Sequence, residues 1–198
     1  MNSTDNIKNA FHVIHHTYEN VLKLMDYCKT IASEDSNYVS VVNKFLRYKS
    51  DSDVSGWYIQ DFILIFQNKN DIELENEWRD GPLYVMEIEL YNKDLREEQL
   101  KGLPCIHLSK FEYESLQKWK SGYIGPADHW RFFHAIRDTK VRMNIQRNGD
   151  YSYIEPINQK ESDRSYWGVK KIISKRIPLM DITSENVREK VFGTFDSL

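Results

Sequence analysis

The sequence of 198 residues lacks most of the features that mark specialised classes of protein. Its only cysteines, Cys28 and Cys105, lie far apart and form no Cys-x-x-Cys pair, which excludes both a disulfide framework and a cysteine-based zinc site. Five prolines and eight glycines exclude a collagen-like or disordered chain. No apolar run approaches the roughly 18 residues of a membrane span, so no membrane partner is expected.

Sequence motifs for common enzymes are also missing. The chain has no Gly-x-Gly-x-x-Gly, no phosphate-binding P-loop, no Gly-x-Ser-x-Gly and no EF-hand loop, which argues against the common nucleotide-binding enzymes. Its first residues include no basic stretch followed by an apolar run, so no secretory signal is expected. These absences together predict a soluble cytoplasmic protein.

The first third of the chain has helical periodicity. Apolar residues recur at spacings of three and four over residues 5–33, which predicts one long amphipathic helix. Val39, Val42 and Phe45 predict a second helix over residues 38–48. A polar connection follows at residues 49–56. The chain is expected to form one domain, 1–198, and any boundary within that domain is expected at this connection.

From residue 57 onward the periodicity changes to that of strands. Residues 57–66 are apolar on both faces, and residues 83–91 alternate, with Glu87 and Glu89 on a predicted solvated face. Further strands are predicted at 105–113, 141–147, 151–154 and 166–177, and Asn148-Gly149 predicts a type I′ hairpin turn. Helices are predicted at 94–100, at 126–138 and after Thr183, and a polar loop at 157–165. The fold class is therefore α+β, with a long N-terminal helix, a second helix, a largely antiparallel sheet of five to six strands and a C-terminal helix.

Charge is unevenly distributed along the chain. The net charge is −3, yet residues 118–176 hold 13 basic residues against 6 acidic ones, interspersed with nine aromatics. Basic and aromatic side chains together suit the phosphates and bases of nucleic acid or nucleotides. The alternative is that the two oppositely charged parts attract each other within the fold or across a subunit contact. The candidate phosphate-binding residues are Arg131, His134, Arg137, Arg142, Lys170, Lys171 and Lys175.

Three acidic residues form a candidate catalytic set. Asp61 lies on an otherwise apolar strand face, so a partner, a metal or an opening to solvent must offset its burial. With Glu87, Glu89 and, on the next strand, His107, it could bind Mg²⁺ or Mn²⁺ in a metal-dependent phosphodiesterase. The alternative is a paired Asp61 beside two ordinary solvated glutamates.

The first helix contains a second candidate metal site. His12, His16 and Glu19 follow at i, i+4 and i+7, and two histidines at this spacing can hold a divalent metal with Glu19 as an oxygen ligand. The alternative is a solvated helix face without metal. Within the helix at 126–138, His129 falls on an apolar face, where a histidine is usually a core residue.

The absence of catalytic motifs, the long first helix and the charge split favour a non-catalytic adaptor or subunit of a multi-protein complex. Such a protein would bind a protein partner or a second copy of itself. Nucleic-acid or nucleotide-phosphate binding through residues 118–176 is one alternative, and the metal-dependent phosphodiesterase is the other. No cofactor is expected, except Mg²⁺ or Mn²⁺ in the case of the phosphodiesterase.

Overall fold

One antiparallel sheet organises the protein. The structure, a computed structural model, describes residues 3–92, 102–117, 119, 128–138 and 141–198. Within them the sheet has seven strands in the order β1-β2-β3-β4-β7-β6-β5. The strands are β1 (Tyr38–Ser40), β2 (Asp61–Asn68), β3 (Leu83–Glu89), β4 (Cys105–Tyr113), β5 (Met143–Asn148), β6 (Tyr151–Pro156) and β7 (Val169–Pro178).

Four α-helices accompany the sheet in the described part of the chain. They are α1 (Ser3–Asp35), α2 (His129–Phe133), α3 (Gln159–Tyr166) and α4 (Thr194–Ser197). Single turns of 3₁₀ helix lie at Val54–Gly56 and Leu179–Asp181, and a π-helical turn at Arg188–Gly193 precedes α4. The α+β class and the long N-terminal helix are confirmed. The predicted helix at 94–100 lies outside the described residues.

The predicted second helix over residues 38–48 is wrong. Residues 38–40 form β1, which pairs with the end of β2, and Leu46 makes a further bridge to Ile63. The edge of β2 offers unpaired backbone N–H and C=O groups. Hydrogen bonds to these groups stabilise residues 38–46 as an extended segment more than three apolar residues at helical spacing stabilise a helix. This extra strand raises the count to seven, above the predicted five to six.

Two predictions in the second half also need correction. The predicted polar loop at 157–165 contains α3, whose first turn is capped by the Asn158 side chain accepting a hydrogen bond from the Glu161 amide. The predicted hairpin between β5 and β6 is confirmed, but Asn148 pairs with Tyr151, so the turn residues are Gly149 and Asp150. Of these two only Gly149 has a positive φ, 59°, so the turn is not type I′.

Helical segments cover the two faces of the sheet. On one face, α1 places Tyr18 against Phe62, and the C-terminal segment packs Phe192 and Phe195 against Phe66. On the other face, α2 packs Phe132 against Phe111 of β4, with ring centroids 5.5 Å apart. The central strands β2 and β3 are consequently buried along their whole length apart from the last residue of β2. Of the helices described, none is both long and apolar enough to cross a membrane.

Candidate functional site

Polar side chains cluster on the α2 side of the sheet, at one end of the central strands. Strand pairing places Asp61 opposite Glu89, Glu87 opposite His107, and Glu89 opposite Cys105. Residues directly opposite each other on adjacent strands project to the same side of a sheet. The pairing therefore assembles one group, here called the polar cluster: Asp61, Glu87, Glu89, Cys105 and His107.

The polar cluster is buried, which overturns the predicted solvated face of β3. Glu87 and Glu89 are only 2% and 3% exposed. Sequence alternation cannot distinguish a solvated acidic face from one that another element covers. Here that element is the segment of α2 and the turn after it, which brings His129 and Arg137 onto the carboxylates.

Each acidic side chain of the polar cluster has a partner within the protein. His129 Nε2 makes a very short contact to Asp61 Oδ2. Arg137 donates two hydrogen bonds to Glu87, of 2.6 and 3.1 Å, and its Nη2 lies 3.0 Å from Glu89 Oε2. Burial raises the pKa of Glu87 to about 7, against the opposing effect of the Arg137 charge. The guanidinium thus occupies the position between the two glutamates that a bridging cation would need.

Three possible metal-ligand atoms lie close together in the same cluster, although Arg137 also contacts Glu89 Oε2 and Arg176 also contacts Cys105 Sγ. Glu89 Oε2, Cys105 Sγ and His107 Nε2 form a triangle whose three atoms all lie within 4.8 Å of one another. The edges are 3.0 Å from oxygen to nitrogen, 3.5 Å from sulfur to nitrogen and 3.8 Å from sulfur to oxygen. We call this set the donor triangle; it is the one group of its kind within the described part of the chain.

The dimensions of the donor triangle match a tetrahedral zinc ion. Zinc bonds of about 2.3 Å to sulfur and about 2.0–2.1 Å to nitrogen and oxygen, at tetrahedral angles, separate the ligand atoms by about 3.3 Å for oxygen–nitrogen and about 3.5–3.6 Å for the two sulfur edges. Each observed edge lies within about 0.3 Å of these values. The two sulfur contacts are within hydrogen-bond distance for sulfur and also match the separations of ligands of one metal.

The side chains around the donor triangle donate hydrogen bonds to Glu89 and Cys105, as the negatively charged forms of these two residues require. Asn92 donates to the second oxygen of Glu89 at 2.9 Å, and the Arg176 Nε donates to Cys105 Sγ at 3.2 Å. Burial alone would raise the pKa of Glu89, but the His107 hydrogen bond and the Arg137 charge hold it below its usual value. Burial raises the pKa of the Cys105 thiol to about 11, and a bound metal would deprotonate it outright. In metalloproteins, hydrogen bonds of this kind orient the side chains that hold the metal.

The predicted basic surface does not form one patch. Arg137 is buried against the glutamates, while Arg131 and Arg142 are hydrogen-bonded to Asp128 and Asp138 respectively. On β7, Lys171 and Lys175 project to the face opposite the polar cluster, as their pairing with Glu112 and Leu108 requires. Lys170 is exposed at the register irregularity between Val169 and Lys171, and His134 lies beside the Trp130 and Phe133 rings.

The histidines of α1 lie together on its exposed surface. His16 Nε2 is 2.8 Å from His12 Nε2, and His16 Nδ1 is 2.8 Å from Glu19 Oε2. Both ring nitrogens of His16 are therefore engaged by its neighbours, and His12, His16 and Glu19 do not present three donors to one point.

Sequence reasoning missed Cys105, because it considered the two cysteines only as a possible disulfide or Cys-x-x-Cys pair. The available signal was Cys-x-His at 105 and 107 beside Glu-x-Glu at 87 and 89, because alternate residues share a face of a strand. This pattern predicts a shared site only if the two strands are known to pair in the observed register. Comparisons with protein-family models, with curated proteins and with solved structures find no match to this chain.

Proposed function

We propose that this protein is a metal-dependent hydrolase that acts on phosphate esters, with zinc held by Glu89, Cys105 and His107. The observation that carries the proposal is the donor triangle, whose edges match those of a zinc tetrahedron. Three protein ligands leave one position of the tetrahedron for water or substrate, as in catalytic rather than structural zinc sites. The proposal keeps the phosphodiesterase alternative of the sequence but moves the metal away from Asp61 and Glu87.

The neighbouring side chains supply what hydrolysis requires. A zinc ion held there would act as a Lewis acid and would lower the pKa of a coordinated water to about 7. Hydrolysis would form a bond from the water oxygen to phosphorus and break the ester P–O bond, and the proton released by the water would balance the proton that the leaving oxygen takes up. His129, held by Asp61, is the nearby histidine that can deliver this proton. Nothing in the reaction is oxidised or reduced.

The test is hydrolysis of bis(4-nitrophenyl) phosphate by zinc-loaded and metal-free protein. We expect turnover only with metal, and a loss of about 100-fold or more in His107→Ala, because removing a ligand costs more than the roughly 10–100-fold of a second-shell change. His15→Ala is the matched control, since His15 is exposed on α1. Equal rates with and without metal, or equal rates in the two variants, would refute the proposal.

We also propose that the protein self-associates through the first half of α1, because that half has an apolar face that none of the described residues buries. Ile7 and Phe11 are 62% and 70% exposed, and Ile14 is also exposed. Their four-three spacing continues through Tyr18 and Val21 into the buried half of the helix. A second copy offers the same spacing, which is that of a coiled-coil seam. Residues 3–20 contain one lysine and two acidic residues, so two copies repel each other little.

Light scattering tests the self-association. We expect a dimer that the double variant Phe11→Glu/Ile14→Glu converts to monomer, because paired carboxylates in an apolar seam are costly to desolvate. The control Asn9→Glu/Asn20→Glu adds the same charge on the opposite side of the helix and should remain dimeric. A monomeric wild-type protein at high concentration would contradict this proposal without affecting the hydrolase.

A further inference from the structure

A groove between α1 and residues 43–49 lies next to the polar cluster. It has a volume of about 650 Å³, within the range of small-molecule sites. We call it the α1 groove. Its lining residues include Leu22, Lys44, Phe45, Arg47, Lys49 and His129.

The α1 groove is strongly basic in a chain that is acidic overall. It contains four lysine or arginine side chains and one aspartate, whereas the whole chain has a net charge of −3. Lys29 is used internally, since it donates to the Asn43 carbonyl at 3.1 Å and lies 3.8 Å from Asp26. Among the described residues, no carboxylate lies within ion-pair distance of Lys44, Arg47 or Lys49. Such a concentration of unpaired cations in a concave site favours an anionic ligand.

The α1 groove also connects with the proposed metal centre. His129 lines the groove and contacts Asp61, and Asp61 is the cross-strand partner of the zinc ligand Glu89. A ligand seated in the groove therefore reaches the side chain that we assign to proton delivery. Leu22, Phe45 and Leu46 add apolar surface, which suits the organic part of a ligand rather than a bare ion.

We propose that the α1 groove binds the phosphate group of a nucleotide-sized phosphate monoester through Lys44, Arg47 and Lys49. Arginine matches phosphate with two parallel hydrogen bonds, and the lysines add charge at its rim. That this ligand belongs to the substrate class of the metal centre rests on the proposed function, whereas binding in the groove does not.

The test is calorimetric titration of metal-free wild-type protein with adenosine monophosphate and, separately, with inorganic phosphate. We expect binding of the nucleotide that weakens with salt, tighter than that of phosphate alone because of the apolar lining. The double variant Lys44→Gln/Arg47→Gln should bind on the order of tenfold more weakly or worse, since charge-assisted hydrogen bonds are lost. Lys8→Gln, which removes a charge from the exposed part of α1 outside the groove, should bind like the wild type.

The outcomes separate the two proposals. Equal affinity in the double variant and in Lys8→Gln, or no nucleotide binding by the wild type, overturns the assignment of the groove. Because the titration uses metal-free protein, absence of zinc or of hydrolysis cannot produce either result. Thermal unfolding of the variants provides the check that the exposed substitutions leave the fold intact.

Discussion

The purified protein is expected to bind one equivalent of Zn²⁺ through a site that includes a cysteine thiolate. Cobalt substitution gives the sharpest readout, because Co²⁺ bonded to sulfur produces a charge-transfer absorption that oxygen and nitrogen ligands do not. Cys105→Ser should abolish that absorption and weaken zinc binding on the order of 100-fold or more, since a first-shell ligand is lost.

Zinc should also stabilise the fold, because only the folded chain assembles the donor triangle. At a free zinc concentration of about 100 times the dissociation constant, the free energy of unfolding rises by about 2.7 kcal/mol. For a chain of this size that increase raises the melting temperature by roughly 5–11 °C. His107→Ala should remove the zinc-dependent increase, whatever its effect on the metal-free protein.

The second cysteine provides the matched control. Cys28 is fully buried on α1 and belongs to no group of three metal donors among the described residues, and burial raises its thiol pKa to about 12. Cys28→Ala should therefore keep the cobalt absorption and the zinc-dependent stabilisation. The assignment fails if wild type and Cys105→Ser take up zinc equally, or if the cobalt complex of the wild type shows no sulfur ligation.

Removing the guanidinium of Arg137 should destabilise the protein more than any exposed substitution. Arg137→Met leaves Glu87 and Glu89 buried without the cation that lies within 3.1 Å of both. Breaking one side of a buried ion pair costs about 3–5 kcal/mol, because the remaining charge has no water to solvate it. Urea unfolding monitored by tryptophan fluorescence measures the change.

Two further variants serve as a control and as a rescue for Arg137→Met. Arg142→Met removes a more exposed pair with Asp138 and should cost at most about 1 kcal/mol. Adding Glu87→Gln to Arg137→Met should recover part of the lost stability, because the amide requires less solvation than the carboxylate. An Arg137→Met protein as stable as Arg142→Met would show that the buried charges are not held by this arginine.

Several features of the fold follow from local sequence alone. The long α1, the buried β2 and the hairpin of β5 and β6 each depend on periodicity or turn chemistry within a few residues. A helix is predicted after Thr183, and its apolar residues are all buried: Val187, Val191, Phe192 and Phe195. The requirement that Asp61 be compensated also follows from its neighbours, and His129 meets it.

Other features depend on contacts between distant residues, which no local pattern encodes. The segment at 38–46 pairs with β2 because that edge needs hydrogen-bond partners, a condition absent from its own sequence. Glu87 and Glu89 have the alternation of a solvated face, yet Arg137, fifty positions after Glu87, makes their burial tolerable.

The sequence by itself determined the fold class and the N-terminal helix, and it singled out Asp61, Glu87, Glu89 and His107 but not Cys105. Only the tertiary structure decided which of them meet. Strand register places Cys105 and His107 beside Glu89, and the α2 segment gives Arg137 to the glutamates and His129 to Asp61. The physical reason is that a metal or ion-pair site requires donor atoms within about 4 Å, and such distances are set by strand pairing and packing rather than by spacing along the chain.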